Sequence, residues 1–326
     1  MTGKEALIVV QKGDHSLGYY DLESGEELAR VPLDPYPHEF VLSPGNRHAF
    51  ICHFGVALAE DEGPGGNTVS IVDLGSRSLG GALDCGNFRR PHGIDLDGAG
   101  TLYVLSEGAS RLLTARDPHG GGFGQDQPTG GRGSHIVSVT PDGQVAFCSN
   151  MFSGTVTAVF PQDPERPPLE FPVGERAEGS VMDREGERCF IVVRESGLIA
   201  VIDARTLKMA DSLSIPGGPV RICHGPPGIL LVPLYHDRSL ALMDPAGAVL
   251  AVVPLPERPI SVGYHENGRL ALCSTFGDQV CLVDVDQRRL ARTIPTRKDP
   301  DPVAVISCQW PSRKFWQRNN TTCLSL

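Results

Sequence analysis

Four residues open similar stretches of this chain: His38 in PHEFVL, His92 in PHGIDL, His135 in SHIVSV and Glu178 in AEGSVM. Each follows a Pro, Ser or Ala, and successive members lie 54, 43 and 43 residues apart. Neutral imidazole and carboxylate are preferred donors for first-row divalent ions such as Fe, Mn, Ni and Zn. Three imidazoles and one carboxylate would leave coordination positions open, which separates a catalytic metal from a closed structural one. A metal held this way would lower the pKa of its water, polarise a carbonyl or bind dioxygen.

That chemistry requires elements that bring the four residues together. Each heads a strand–turn–strand unit with a polar turn, such as SHIVSVTPDGQVAFCSN. A further apolar run ends each unit, usually in Asp: Asp21, Asp73, Asp117, Asp203, Asp244 and Asp284, with Phe160 filling the gap. Successive run ends lie 52, 44, 43, 43, 41 and 40 residues apart, the period of a propeller blade. A fourth strand leads into the next unit. At the termini, EALIVVQK matches the second strand of a blade, and its first strand is found in DPVAVIS, residues 301–307. The expected fold is therefore all-β: a seven-bladed β-propeller of four-stranded antiparallel blades, closed by one blade shared between the N- and C-termini. Residues 1–310 form this single domain, and 311–326 form a C-terminal tail. Inner strands line the channel of such a ring. His38, His92, His135 and Glu178 then share one level on four consecutive blades, and Val220, Ile260 and Val303 complete it as an apolar wall.

The stretches SHIVSVTPDGQVAFCSNMFSGTVTAV and NTVSIVDLGSRSLGGALDCGNFRRPHGIDL resemble the YVTN-repeat, lactonase-like propellers, over about residues 5–307. The resemblance implies ring-opening hydrolysis or elimination on a lactone or ester. The substrate would be a small organic molecule bound at the mouth of the channel. Arg194 and Arg221, from adjacent blades, are placed to hold a carboxylate or steady an oxyanion. His53 ends the second strand of the blade that carries His38, and is a third catalytic candidate. Glu39 and Glu107 lie nearby in sequence. Two other functions stay open: a non-haem Fe(II)-dependent oxygenase using the three-His, one-Glu set, and a non-catalytic protein-binding scaffold. Metal content and oxygen uptake discriminate among them.

The composition fits this reading. The 38 Gly and 27 Pro suit a fold full of turns. The net charge of −10, without a Lys/Arg cluster, argues against nucleic acid. No apolar run approaches a membrane span, and the five apolar residues at 6–10 are too few for a signal-peptide core. Nine scattered cysteines without a CxxC pair read as buried reduced thiols in a cytoplasmic protein. The Gly-rich stretches 53–68 and 117–133 read as binding elements or covers. No G-x-S-x-G elbow, P-loop or H-E-x-x-H motif occurs. His15, His119, His224, His236 and His265 fall in turns or loops and receive no role.

Overall fold

Residues 6–10, 49–52, 189–193 and 230–232 are apolar without alternation, the pattern of strands buried on both faces. In the structure, a computed structural model describing residues 4–267 and 269–308, they are middle strands of seven four-stranded antiparallel sheets. Each sheet packs its faces on the two neighbouring sheets. One apolar cluster fills each of the seven gaps; Phe190, Val192 and Ile199, for example, meet Leu230, Val232 and Met243. The expected seven-bladed β-propeller is the observed fold. Residues 311–326, read from sequence as a tail, lie outside the described residues.

The inner strands of blades 2 to 5 are Pro37–Leu42, Pro91–Leu96, Ser134–Val139 and Ala177–Met182. Blade 7 begins with Pro259–His265. In blade 6 the expected inner strand is reduced to Cys223–His224 and one bridge from Pro219 to Leu234. Pro226 and Pro227 follow at once, and neither has an N–H to continue a ladder.

Blade 1 closes the ring as expected, by pairing Pro300–Cys308 antiparallel with Lys4–Gln11. Its register corrects one assignment. Pro300 pairs with Gln11, as Pro37 pairs with His53 and Pro91 with Ser106. The residue at the histidine level is therefore Asp301, not Val303, which pairs with Val9 further along the strand. The segment DPDP offers two prolines, Pro300 and Pro302, and the repeat pattern alone does not distinguish them.

The recurring Asp has a structural explanation. The carboxylates of Asp21, Asp73, Asp117, Asp203, Asp244 and Asp284 each accept backbone N–H groups two to four residues ahead. They are turn formers. The stretch 117–133 is not one loop. The outer strand Gln125–Pro128 divides it, so its two halves join opposite ends of the blade. His119, in the first half, packs on His48 at a centroid distance of 4.6 Å.

Candidate functional site

Gly93 sets the approach of blades 3 and 4. A Cβ there would lie 2.5 Å from the His135 carbonyl oxygen and 2.7 Å from the Ile136 Cα. Without it, the His92 ring reaches the neighbouring strand, with Nδ1 2.9 Å from the His135 oxygen. Only a protonated nitrogen donates to a carbonyl, so the His92 proton sits on Nδ1. Its Nε2 then carries a lone pair, and that buried atom has no partner. His135 directs its own Nδ1 to Glu107 Oε2 at 2.7 Å. The His92 and His135 rings stack at 3.8 Å with 28° between planes, and His38 lies 4.2 Å from His92 on the other side. Phe54 meets both His38 and His92 edge-on.

Ion pairs surround this stack. Lys12 Nζ lies 2.9 Å from Asp301 Oδ2 and 3.5 Å from His38 Nε2. His38 Nδ1 lies 3.5 Å from Asp301 Oδ2 and makes no hydrogen bond. Arg221 crosses the channel to Glu39 at 2.7 Å. Glu178 receives Arg176 at 2.9 Å and Arg194 at 3.0 Å, with Arg221 3.7 Å away. Burial holds all three imidazoles well below their usual pKa, and their mutual proximity and the nearby cations add to that effect. They are neutral, the state in which imidazole binds metal or accepts a proton. Burial raises the Glu107 carboxyl. It also raises Glu39, against the opposing pull of Arg221.

Among the described residues, two groups have donor atoms close enough to share an ion: His38, Glu39 and His92, and His92, Glu107 and His135. His92 belongs to both. The structure places His38, His92 and His135 side by side, with His92 in the middle. Glu178 stands apart from them, committed to arginines, and the carboxylates beside the imidazoles are Glu39 and Glu107. The donor chemistry fits a first-row metal: neutral imidazoles, an unpartnered buried Nε2, and a carboxylate orienting His135 through its second nitrogen. An imidazole lone pair lies in its ring plane. The stacked His92 and His135 would therefore both face one ion only after one ring turns.

The remaining candidates are placed differently. His53 turns to Thr68 Oγ1 at 3.2 Å and Asp34 at 3.7 Å, and joins neither group. Arg194 pairs with Glu178 and Glu195 and lies over the Tyr235 ring. Arg221 sits at the end of a channel cavity of about 560 Å³. Phe40, Leu96, Val139 and Met182 wall that cavity, and the acids Glu39, Asp95 and Asp97 lie on its lining. A second cavity of about 580 Å³ reaches Glu107 at the opposite end of the cluster.

The stretch 53–68 crosses this second end as a strap. It leaves blade 2, and Glu60 pairs with Arg176 of blade 5 at 2.8 Å. Arg90 donates to the carbonyls of Ala59, Asp61 and Gly63. The same Arg176 holds Glu178, so the strap is latched to the channel residues.

The fold places this chain in the class of seven-bladed β-propeller proteins, and solved structures share its architecture. It is similar to the dihydro-heme d1 dehydrogenase NirN in complex with DHE (TM-score 0.64, 15% identity, 89% of this chain). It spans 63% of the length of NirN. It is also similar to hydrazine synthase from Kuenenia stuttgartiensis (TM-score 0.71, 14% identity), covering 85% of this chain and 92% of that one. A third is a catalytically inactive variant of virginiamycin B lyase from Staphylococcus aureus with quinupristin (TM-score 0.69, 12% identity), covering 86% of this chain and 94% of that one. Identities this low carry the fold alone. No family model matches the chain, and no curated protein does. Among the described residues, no helix is long and apolar enough to cross a membrane.

Proposed function

We propose that the chain is a metal-dependent enzyme acting on a small organic molecule at the imidazole cluster of its channel, by ring-opening hydrolysis or elimination on a lactone or ester. The observation that carries this reading is the unpartnered, buried Nε2 of His92, between two further neutral imidazoles. His38, His92 and His135 would hold the metal, with Glu39 or Glu107 as the carboxylate. When bound, it would supply Lewis-acid polarisation of a carbonyl. The chain's own residues do the rest. Glu107 fixes the His135 proton on Nδ1 and leaves the Nε2 lone pair as the one available to an ion. Phe54, edge-on to both His38 and His92, lays an apolar face against these rings. The ion pairs of Arg221, Arg194 and Arg176 hold the neighbouring carboxylates, which fixes the polar surroundings of the reacting group.

The seven-bladed enzymes with this fold include a lyase, which supports the reaction class by analogy of fold. One observation favours a second reading. The 2.7 Å His135–Glu107 pair, beside a stacked ring, has the build of a metal-free general base. The test is turnover of a panel of aliphatic and aromatic lactones and esters, before and after dipicolinate treatment. The metal reading predicts activity lost on chelation, restored by one added divalent ion, and absent from His92→Ala. Activity that survives chelation but is lost in His135→Ala would favour the general base.

A further inference from the structure

The chain is acidic, with a net charge of −10, yet arginines gather at the end of the channel that the strap crosses. Most are committed. Arg90 is held by strap carbonyls, Arg176 by Glu60 and Glu178, and Arg194 by Glu178 and Glu195. Arg89 and Arg132 are not. Both are exposed, and neither forms an ion pair among the described residues. Among the described residues the Arg132 guanidinium donates only to the Phe152 carbonyl, at 3.3 Å, and the Arg89 guanidinium makes no hydrogen bond; the backbone of each is engaged separately, by Ser153 and Ser106. These two guanidinium groups line the 580 Å³ cavity, together with Phe152 and the buried Glu107. Cavities of roughly 300–1,000 Å³ suit small organic ligands.

We propose that this cavity anchors a carboxylate-bearing small molecule: Arg89 and Arg132 take the carboxylate, Phe152 takes the apolar body, and the reactive carbon lies toward Glu107 and His135. The proposal deepens the function proposed above and rests on it. Guanidinium groups pair with carboxylates in a planar, bidentate manner, and unpaired ones in a concave site have that capacity free. Phe152 is 44% exposed, an aromatic face left open where an organic ligand would cover it. Phosphate shares the anionic chemistry but has no use for that face. The 560 Å³ cavity is a poorer anchor, because its arginine, Arg221, is already paired with Glu39.

The test is isothermal titration of the full chain with 3-phenylpropionate, its neutral amide and inorganic phosphate, alongside metal analysis of each sample. The acid should bind at least about tenfold more tightly than either comparator, the gain expected of charge-assisted hydrogen bonds. Arg89→Gln/Arg132→Gln should remove that preference, and Phe152→Ala should weaken the acid but not phosphate. Metal content and thermal midpoint should match wild type in all variants, since the three residues lie outside the imidazole cluster. Equal binding of acid and amide, tighter binding of phosphate, no binding of the acid, or unchanged affinity in the double variant overturns the proposal. Absence of metal from wild type with the acid preference intact would instead count against the metal centre, so the two failures are distinguishable.

Discussion

Asp301→Asn probes the closing strand and the correction of register together. Asp301 is fully buried, and the ammonium of Lys12, itself only 10% exposed, lies 2.9 Å from Oδ2. That ammonium also lies 3.5 Å from His38 Nε2, on a ring that burial keeps neutral. Removing the carboxylate charge strands a buried cation. Breaking a buried pair from one side costs about 3–5 kcal/mol, whereas replacing both partners by apolar groups is often close to neutral. Asp301→Asn and Lys12→Met should each cost about 3–5 kcal/mol. Lys12→Met/Asp301→Leu should cost far less than their sum, a large coupling for residues in contact. Urea unfolding followed by far-UV circular dichroism measures all three, with unchanged m-values confirming that the same surface is exposed. Were Asp301 a solvated turn residue, as a strand register centred on Val303 would make it, its substitution would stay within about 0.5 kcal/mol. That result, or simple additivity in the double variant, would refute the reasoning.

Three further outcomes are expected. Asp95, whose carboxyl burial pushes up to about 6, accepts the N–H groups of Leu96 and Val139. A raised folded pKa contributes stability that is complete below the unfolded value and lost as pH rises through the folded one. The stability of wild type relative to Asp95→Asn should therefore fall by about 2–3 kcal/mol between pH 4 and 7, measured by urea unfolding. Gly93→Ala should cost about 1–3 kcal/mol, because blades 3 and 4 must part to admit the Cβ; it should also break the His92–His135 hydrogen bond, which imidazole nitrogen chemical shifts would report. Glu60→Gln should leave global stability within about 1 kcal/mol, because the pair is partly exposed, while hydrogen exchange quickens within residues 54–67.

The fold was legible because its signals are local. Continuous apolar strands, Asp turns and a period near 43 residues define blades without knowledge of their neighbours. The imidazole level was legible because His38, His92 and His135 occupy one register position in adjacent repeats. The carboxylates were harder to assign. Each of these inner strands opens with a register shift, between Pro37 and Phe40 in blade 2 and between Pro91 and Ile94 in blade 3. A bulge there interrupts strict alternation, so Glu39 joins His38 in the channel, where simple pleating would put it on the opposite face. Glu178 stands at the right level, but Arg176, Arg194 and Arg221 reach it from three separate segments, and no repeat pattern announces that. Lys12 is equally silent, since its partner Asp301 lies 289 residues away in sequence. The cysteines follow the core pattern: the seven described ones are free, and burial raises the pKa of Cys52, Cys148 and Cys189 so that they remain thiols.

The measurement that bears most directly on the account is elemental analysis of untagged protein, purified both aerobically and anaerobically, in wild-type and His92→Ala forms. The account predicts about one equivalent of a single first-row divalent metal per wild-type chain, lost from a His92→Ala variant that keeps its fold, because both candidate donor groups share His92. Wild-type protein carrying no metal in either preparation, or equal metal in the two forms, would contradict it.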